Sequence, residues 1–150
     1  REGPFVVEMF GEEAEKLREA VFEYGAKTVR PRRVGAIDLV ATRYGVKVQG
    51  AKSLALTKLD VLSYLDKIPV CYAYEIDGKI TEKFPFPSEL KKSKPVYNFV
   101  KGWKTDITGI KKWEDLPIEA RNYVEYIESY LDCSIDYVSV GPERESLIKR

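Results

Sequence analysis

Ser53-Leu54-Ala55-Leu56-Thr57-Lys58-Leu59-Asp60 decides how this chain is read. Four small or apolar residues form a short buried strand, and Thr57 to Asp60 places polar chemistry just past its end. An acidic side chain fixed there, with a lysine two residues before it, suits a guanine base. The two aspartate oxygens can accept from the ring N–H and the exocyclic amine together, while the lysine stem lies against the ring face. Adenine lacks that donor pair, and a site built for it rejects the wrong base by leaving buried polar groups unpaired. A strand running into a solvated turn, or Asp60 as the N-cap of a following helix, gives the same four residues.

Outward from this segment, the periodicity predicts an alternation of helices and strands. Upstream, Ala14, Leu17, Ala20, Val21 and Tyr24 mark a helix over 12–24, with Gly25 as its stop. A basic loop over 27–33 follows, and a second helix runs from Ala36 with Ile37, Val40, Ala41, Tyr44 and Val48 on one stripe and Gly50 as its end. Downstream, 60–65 reads as a short helix and 69–76 as a strand. Asp77-Gly78 is a hairpin turn returning through 79–84, 85–95 is irregular, and 95–103 contains another strand. The longest helix is expected over 117–131, with Ala120, Tyr123, Val124, Ile127, Tyr130 and Leu131 inward, feeding a last strand over 135–140. This is an α/β pattern: a mixed, largely parallel sheet flanked by helices, with an attached β-hairpin and no internal domain boundary over 1–150.

Composition narrows the function classes. At 150 residues the chain can bury roughly 70% of its unfolded surface as a single domain. Its 44% hydrophobic and 33% charged content is that of a soluble globular protein, and no apolar run reaches membrane length. Lys and Arg number 25 against 24 for Asp and Glu, so a net charge of +1 supplies no general field for polyanions and counts against nucleic acid as a partner. The chain has no histidine, which excludes Ser-His-Asp and Cys-His centres, and two distant cysteines, Cys71 and Cys133, make no ordinary zinc site. Reduced thiols and a cytoplasmic location are expected. With Arg1 in first place, the chain is expected to be part of a longer one.

Two further segments carry chemistry. Arg30-Pro31-Arg32-Arg33 gathers three guanidinium groups in one loop beside the Thr28 hydroxyl, each able to fork onto phosphate or carboxylate; a solvated basic loop would look the same. Ser139-Val140-Gly141-Pro142 ends the last strand, and its glycine lets backbone N–H groups approach a ligand closely, or simply makes a tight turn. Ligands of open α/β sheets bind at the carboxyl ends of strands, where both Lys58 to Asp60 and Ser139 to Gly141 are placed. If those two strands are neighbours, one ring is gripped from both sides.

These segments, in this order, resemble the C-terminal part of the adenylosuccinate synthetase family. The likeness runs through Gly3-Pro4-Phe5, the arginine loop with Gly35 and Asp38, Leu56-Thr57-Lys58-Leu59-Asp60-Val61-Leu62, Val70-Cys71-Tyr72-Ala73-Tyr74, Pro95-Val96-Tyr97, Gly102-Trp103 and Val138-Ser139-Val140-Gly141-Pro142-Glu143-Arg144. The resemblance implies the C-terminal part of a P-loop-NTPase-like synthetase fold. It also implies a GTP-dependent ligase of AMP biosynthesis, in which the 6-oxygen of inosine monophosphate (IMP) takes the γ-phosphoryl group and the amine of L-aspartate then displaces phosphate. Lys58, Leu59 and Asp60 would hold guanine, with Ser139, Val140 and Gly141 on its other edge. Arg32 would reach the GTP side, and Lys27, Thr28, Val29 and Arg30 would form the aspartate and IMP loop. The family's magnesium, its glycine-rich phosphate loop and its catalytic acid and base are expected in a missing N-terminal part. That leaves no catalytic or metal-ligating residue expected here and no activity for this chain alone, and the family's dimer implies a homodimer. The chain departs from the family at Lys27-Thr28-Val29, where Thr-Thr-Gly is usual, and at Ala36, where an aromatic residue is common. A freestanding guanine-nucleotide-binding or regulatory module, or a split subunit, is the alternative reading.

Overall fold

A computed structural model describes residues 4–21 and 35–150. The chain divides into two compact units, Arg1–Tyr44 with Pro69–Asn98, and Gly45–Ile68 with Phe99–Arg150.

The first unit is built on β3 (Lys67–Ile76), an almost continuously apolar strand that pairs with three others. It runs parallel to the two-residue strand β1 (Ile37–Asp38), with Ile37 opposite Val70 and Asp38 opposite Cys71. It also forms an antiparallel hairpin with β4 (Lys79–Thr81), and it pairs with β5 (Lys94–Lys101). Asp77 (φ 52°) and Gly78 (φ 81°) are both left-handed, the geometry in which a two-residue turn matches the twist of its strands. Strand partners on both edges explain why β3 is buried through Val70, Cys71, Ala73 and Tyr74. Helix α1 (Gly11–Val21) turns Ala14 and Leu17 inward as its spacing predicts. Cys71 is fully buried, and that burial, with Asp38 nearby, pushes its thiol up to about 11, so it packs rather than reacts.

Helix α2 (Leu39–Gln49) starts later than its hydrophobic pattern suggests, because Ile37 and Asp38 are drawn into the sheet. Asp38 ends the strand and caps the helix: its Oδ1 accepts the Ala41 N–H at 3.0 Å, and its Oδ2 accepts from the Tyr74 hydroxyl. Leu39 and Val40 are buried, whereas Tyr44 and Val48 of the expected stripe are exposed; Tyr44 instead stacks on Phe84, ring centroids 4.7 Å apart. Replacing Asp38 removes a cap and an acceptor of the Tyr74 hydroxyl, so Asp38→Ala should cost about 2 kcal/mol of stability in urea denaturation, and Asp38→Asn distinctly less. The short helix α3 (Pro87–Leu90) lies within the stretch expected to be irregular.

In the second unit, β2 (Ser53–Leu56) lies parallel to β6 (Ser134–Ser139), and β6 is antiparallel to β7 (Leu147–Lys149). Leu54 faces Ile135 and Leu56 faces Val138; a bulge between Leu54 and Ala55 admits one extra β6 residue, Asp136, so both β6 partners point into the core. Helix α4 (Ile118–Leu131) packs on β6 with Ala120, Tyr123, Val124, Ile127 and Leu131 buried, and Tyr130 only half-buried. The unit is locked by Arg150: its guanidinium donates to Glu128 Oε2 at 2.8 Å and to the Ile135 carbonyl at 3.0 Å, and lies 4.4 Å over the Trp113 ring. The same Glu128 oxygen accepts the Ile135 N–H at 2.8 Å.

The architecture is thus α/β with two small mixed sheets and four α-helices among the described residues, in place of the single, largely parallel sheet the pattern suggests. Each sheet has one parallel pair and a short antiparallel strand or hairpin beside it. Among the described residues no helix is long and apolar enough to cross a membrane.

Candidate functional site

The two strands that run into the polar segments lie side by side in the second unit. Strands β2 and β6 are parallel neighbours, so both end on the same side, and Leu56, the last residue of β2, is the partner of Val138, the next-to-last of β6. Beyond β2 the chain reverses at Lys58, whose backbone is left-handed (φ 61°, ψ 37°), and enters a 3-10 turn over Leu59–Leu62. The Lys58 N–H donates to Ser139 Oγ across the strand ends at 2.9 Å. That bond joins the two segments expected to face one ring.

Within the turn, Leu59 is 1% exposed and anchors it against the core, so only its backbone can meet a ligand. Val140, fully buried, plays the matching part just past the end of β6. Asp60, between Leu59 and Val61, stays half-buried. The expected short helix over 60–65 is this 3-10 turn followed by further turns, with Val61 N–H donating to Lys58 O at 3.3 Å and Ser63 N–H to Asp60 O at 3.2 Å.

Gly141 sits against two side chains that would have to move aside for a Cβ. A Cβ there would stand 2.6 Å from Ser146 Oγ and 3.1 Å from Glu143 Oε2, because residues 140–146 fold back on themselves. The Val140 N–H donates to Ser146 O at 3.0 Å, Ser146 N–H to Glu143 O at 3.0 Å, and Ser146 Oγ to Glu143 Oε2 at 3.0 Å. The loop is therefore a built wall beside the strand end.

The electrostatics brings in Asp106, which lies outside every motif, and Glu143, which stands in the last motif without a role assigned to it. Burial raises the Asp60 carboxyl above the usual range, and the carboxylates of Asp106 and Glu143 push the same way, against its own backbone N–H and Lys58. Asp106 is held below the usual range by the Thr108 hydroxyl and N–H, at 2.6 and 2.9 Å, so it remains an anion beside Asp60. A partly desolvated carboxylate among like charges is short of hydrogen-bond donors, and a pair of N–H groups from a base supplies them. Because only the ionised form accepts both, the affinity of guanosine diphosphate, if it is held by that pair of bonds, should fall as pH drops through the raised Asp60 value, earlier than an ordinary aspartate would allow. Calorimetric titration across the mildly acidic range checks this; an affinity flat until the ordinary aspartate range would contradict it. The same shift works the other way on folding: protonation is easier in the folded state, so this group's contribution to stability grows as pH falls.

Lys27, Thr28, Val29, Arg30 and Arg32 lie outside the described residues. Among the described residues no group of three or more His, Cys, Asp or Glu side chains could hold a metal ion, and Cys71 and Cys133 are both free thiols.

The family model for adenylosuccinate synthetase matches residues 1–148. The chain is 49% identical over 148 residues to the adenylosuccinate synthetase of Aquifex aeolicus, covering 98% of this chain and 34% of that protein. It is 48% identical over 148 residues to that of Fusobacterium nucleatum, covering 98% and 35%. Among solved structures, that of the fully ligated adenylosuccinate synthetase from Plasmodium falciparum superposes with a TM-score of 0.91 at 35% identity, over 99% of this chain and 36% of that one. The chain spans about a third of the length of the curated relatives it matches. With nearly its whole length matched by the family model and by a solved structure of the family, the chain belongs to the adenylosuccinate synthetase family.

Proposed function

We propose that this chain is the C-terminal, guanine- and substrate-recognising part of a GTP-dependent adenylosuccinate synthetase, working as one domain of a longer protein that joins L-aspartate to IMP. The observation that carries the reading is the hydrogen bond from Lys58 N–H to Ser139 Oγ, which brings the ends of β2 and β6 to one place. In this reading Asp60 accepts the ring N–H and exocyclic amine of guanine, the Lys58 stem covers one ring face, and the backbones of Leu59, Ser139, Val140 and Gly141 close around the base. Arg32 offsets charge on the GTP phosphates, Arg30 contacts IMP, and Lys27, Thr28 and Val29 engage aspartate.

Guanidinium groups suit that loop because IMP, aspartate and GTP are all anionic and repel one another until neutralised. Transfer of the γ-phosphoryl group to the 6-oxygen of IMP, and its displacement by the aspartate amine, need an acid, a base and magnesium that this reading assigns to the remaining two thirds of a full-length synthetase. A homodimer and a cytoplasmic setting follow from the family.

The test is turnover. Incubated with IMP, GTP, aspartate and magnesium, this chain alone should form no adenylosuccinate, while guanosine diphosphate should bind it more tightly than adenosine diphosphate. Appreciable product, or equal binding of the two nucleotides, would overturn the proposal.

A further inference from the structure

Lys58 stands in a backbone conformation that L side chains rarely adopt, at the point where β2 turns toward the candidate base site. Of the described non-glycine residues with positive φ, Asp77 and Asp132 carry the short polar side chain that tolerates this region; Lys58 and Lys104 do not. A contact to the Lys58 backbone itself can offset that cost. The hydroxyl of Ser139 is placed to do so, since it accepts the Lys58 N–H at 2.9 Å from the neighbouring strand. Ser139 is itself fixed by the β6–β7 ladder, opposite Leu147, and by the fold-back that begins at Val140.

We propose that Ser139 is a positioning residue, whose hydroxyl locks Lys58 in the left-handed conformation and so aims the Leu59–Leu62 turn, with Asp60 on it, at the base. This rests on the base-reading role proposed above, but it assigns Ser139 a task on the protein rather than on the ligand. The lock explains how a residue one strand away governs the direction of the guanine reader. Without it, Lys58 would relax toward negative φ, and every residue of the turn would be redirected, because a change in one φ rotates the chain that follows.

The experiment separates the lock from direct contact. In the nucleotide-free chain, Ser139→Ala should accelerate hydrogen exchange at the Lys58 amide by about tenfold, as expected for loss of the bond that protects it, and Ser139→Thr should not. With guanosine diphosphate as the probe, Ser139→Ala should weaken binding about five- to tenfold in the wild-type background. In the Lys58→Gly background it should weaken binding less than twofold, because glycine holds a φ near +60° without help. Unchanged exchange at Lys58 on Ser139→Ala, or an equal loss of affinity in both backgrounds, would overturn the proposal, the second by showing that Ser139 meets the base itself. If the wild-type chain showed no preference for guanine, the base-reading role would fall, and the exchange measurement would still decide whether Ser139 locks Lys58.

Discussion

Asp60→Asn should reduce the preference for guanosine over adenosine diphosphate by about a hundredfold, the upper range for losing a bidentate base contact. The substitution keeps the shape of the side chain and replaces one of two acceptor oxygens with a donor. The ring N–H or the amine of guanine then faces an N–H group and has nowhere to send its proton. Adenine, which never made the paired contact, should lose far less. The fold should not suffer: the carboxyl is held above its usual range by burial and by Asp106 and Glu143, so removing its charge relieves repulsion. Titration of both nucleotides by calorimetry, beside a thermal melt of the variant, checks the two halves together. A guanine preference that survives in a folded Asp60→Asn protein would remove Asp60 as the base reader.

Gly102→Ala should be the most damaging small substitution in the second unit, costing about 3 kcal/mol or more. A Cβ at this position would stand 2.1 Å from the Leu65 carbonyl oxygen and 3.0 Å from that of Asp66, both backbone atoms with no rotamer to escape into. Nor can the two segments simply part, because the Gly102 N–H donates to Asp66 O at 2.8 Å. Next to it, the Trp103 indole donates to Ser63 Oγ at 2.8 Å and meets the Tyr123 ring edge-on at 5.8 Å. Residues 102–103 therefore clamp the turns that follow Asp60. Urea denaturation measures the loss; a change under about 1 kcal/mol would mean that the backbone at Leu65 yields more easily than this contact allows.

What could be read from sequence follows from how local each signal is. Helix α4 and the Asp77-Gly78 hairpin declare themselves within one or two turns of chain, and both form where expected. The start of α2 did not, because Asp38 serves a strand and a helix cap at once, and only the pairing with Cys71 decides between them. The three residues of β7 are too few to show a period. For the site, Lys58 to Asp60 and Ser139 to Gly141 were legible as strand ends carrying polar groups. Their adjacency was not, since pairing between residues 81 apart leaves no mark in either segment. The influence of Asp106 and of Glu143 on Asp60 was silent for the same reason, being exerted through space.

That 81-residue separation also sets a timetable. The hairpin of β3 and β4 can close as soon as it is made, whereas β2 must wait for α4 and β6 to be synthesised before it has any partner, and β6 is secured only when Arg150 reaches Glu128 and Trp113. Long-range parallel pairing of this kind is slow, and through the wait Leu54 and Leu56 lie on an unpaired strand open to association with other chains. Translation rate and chaperone supply should therefore govern the yield of the second unit more than that of the first.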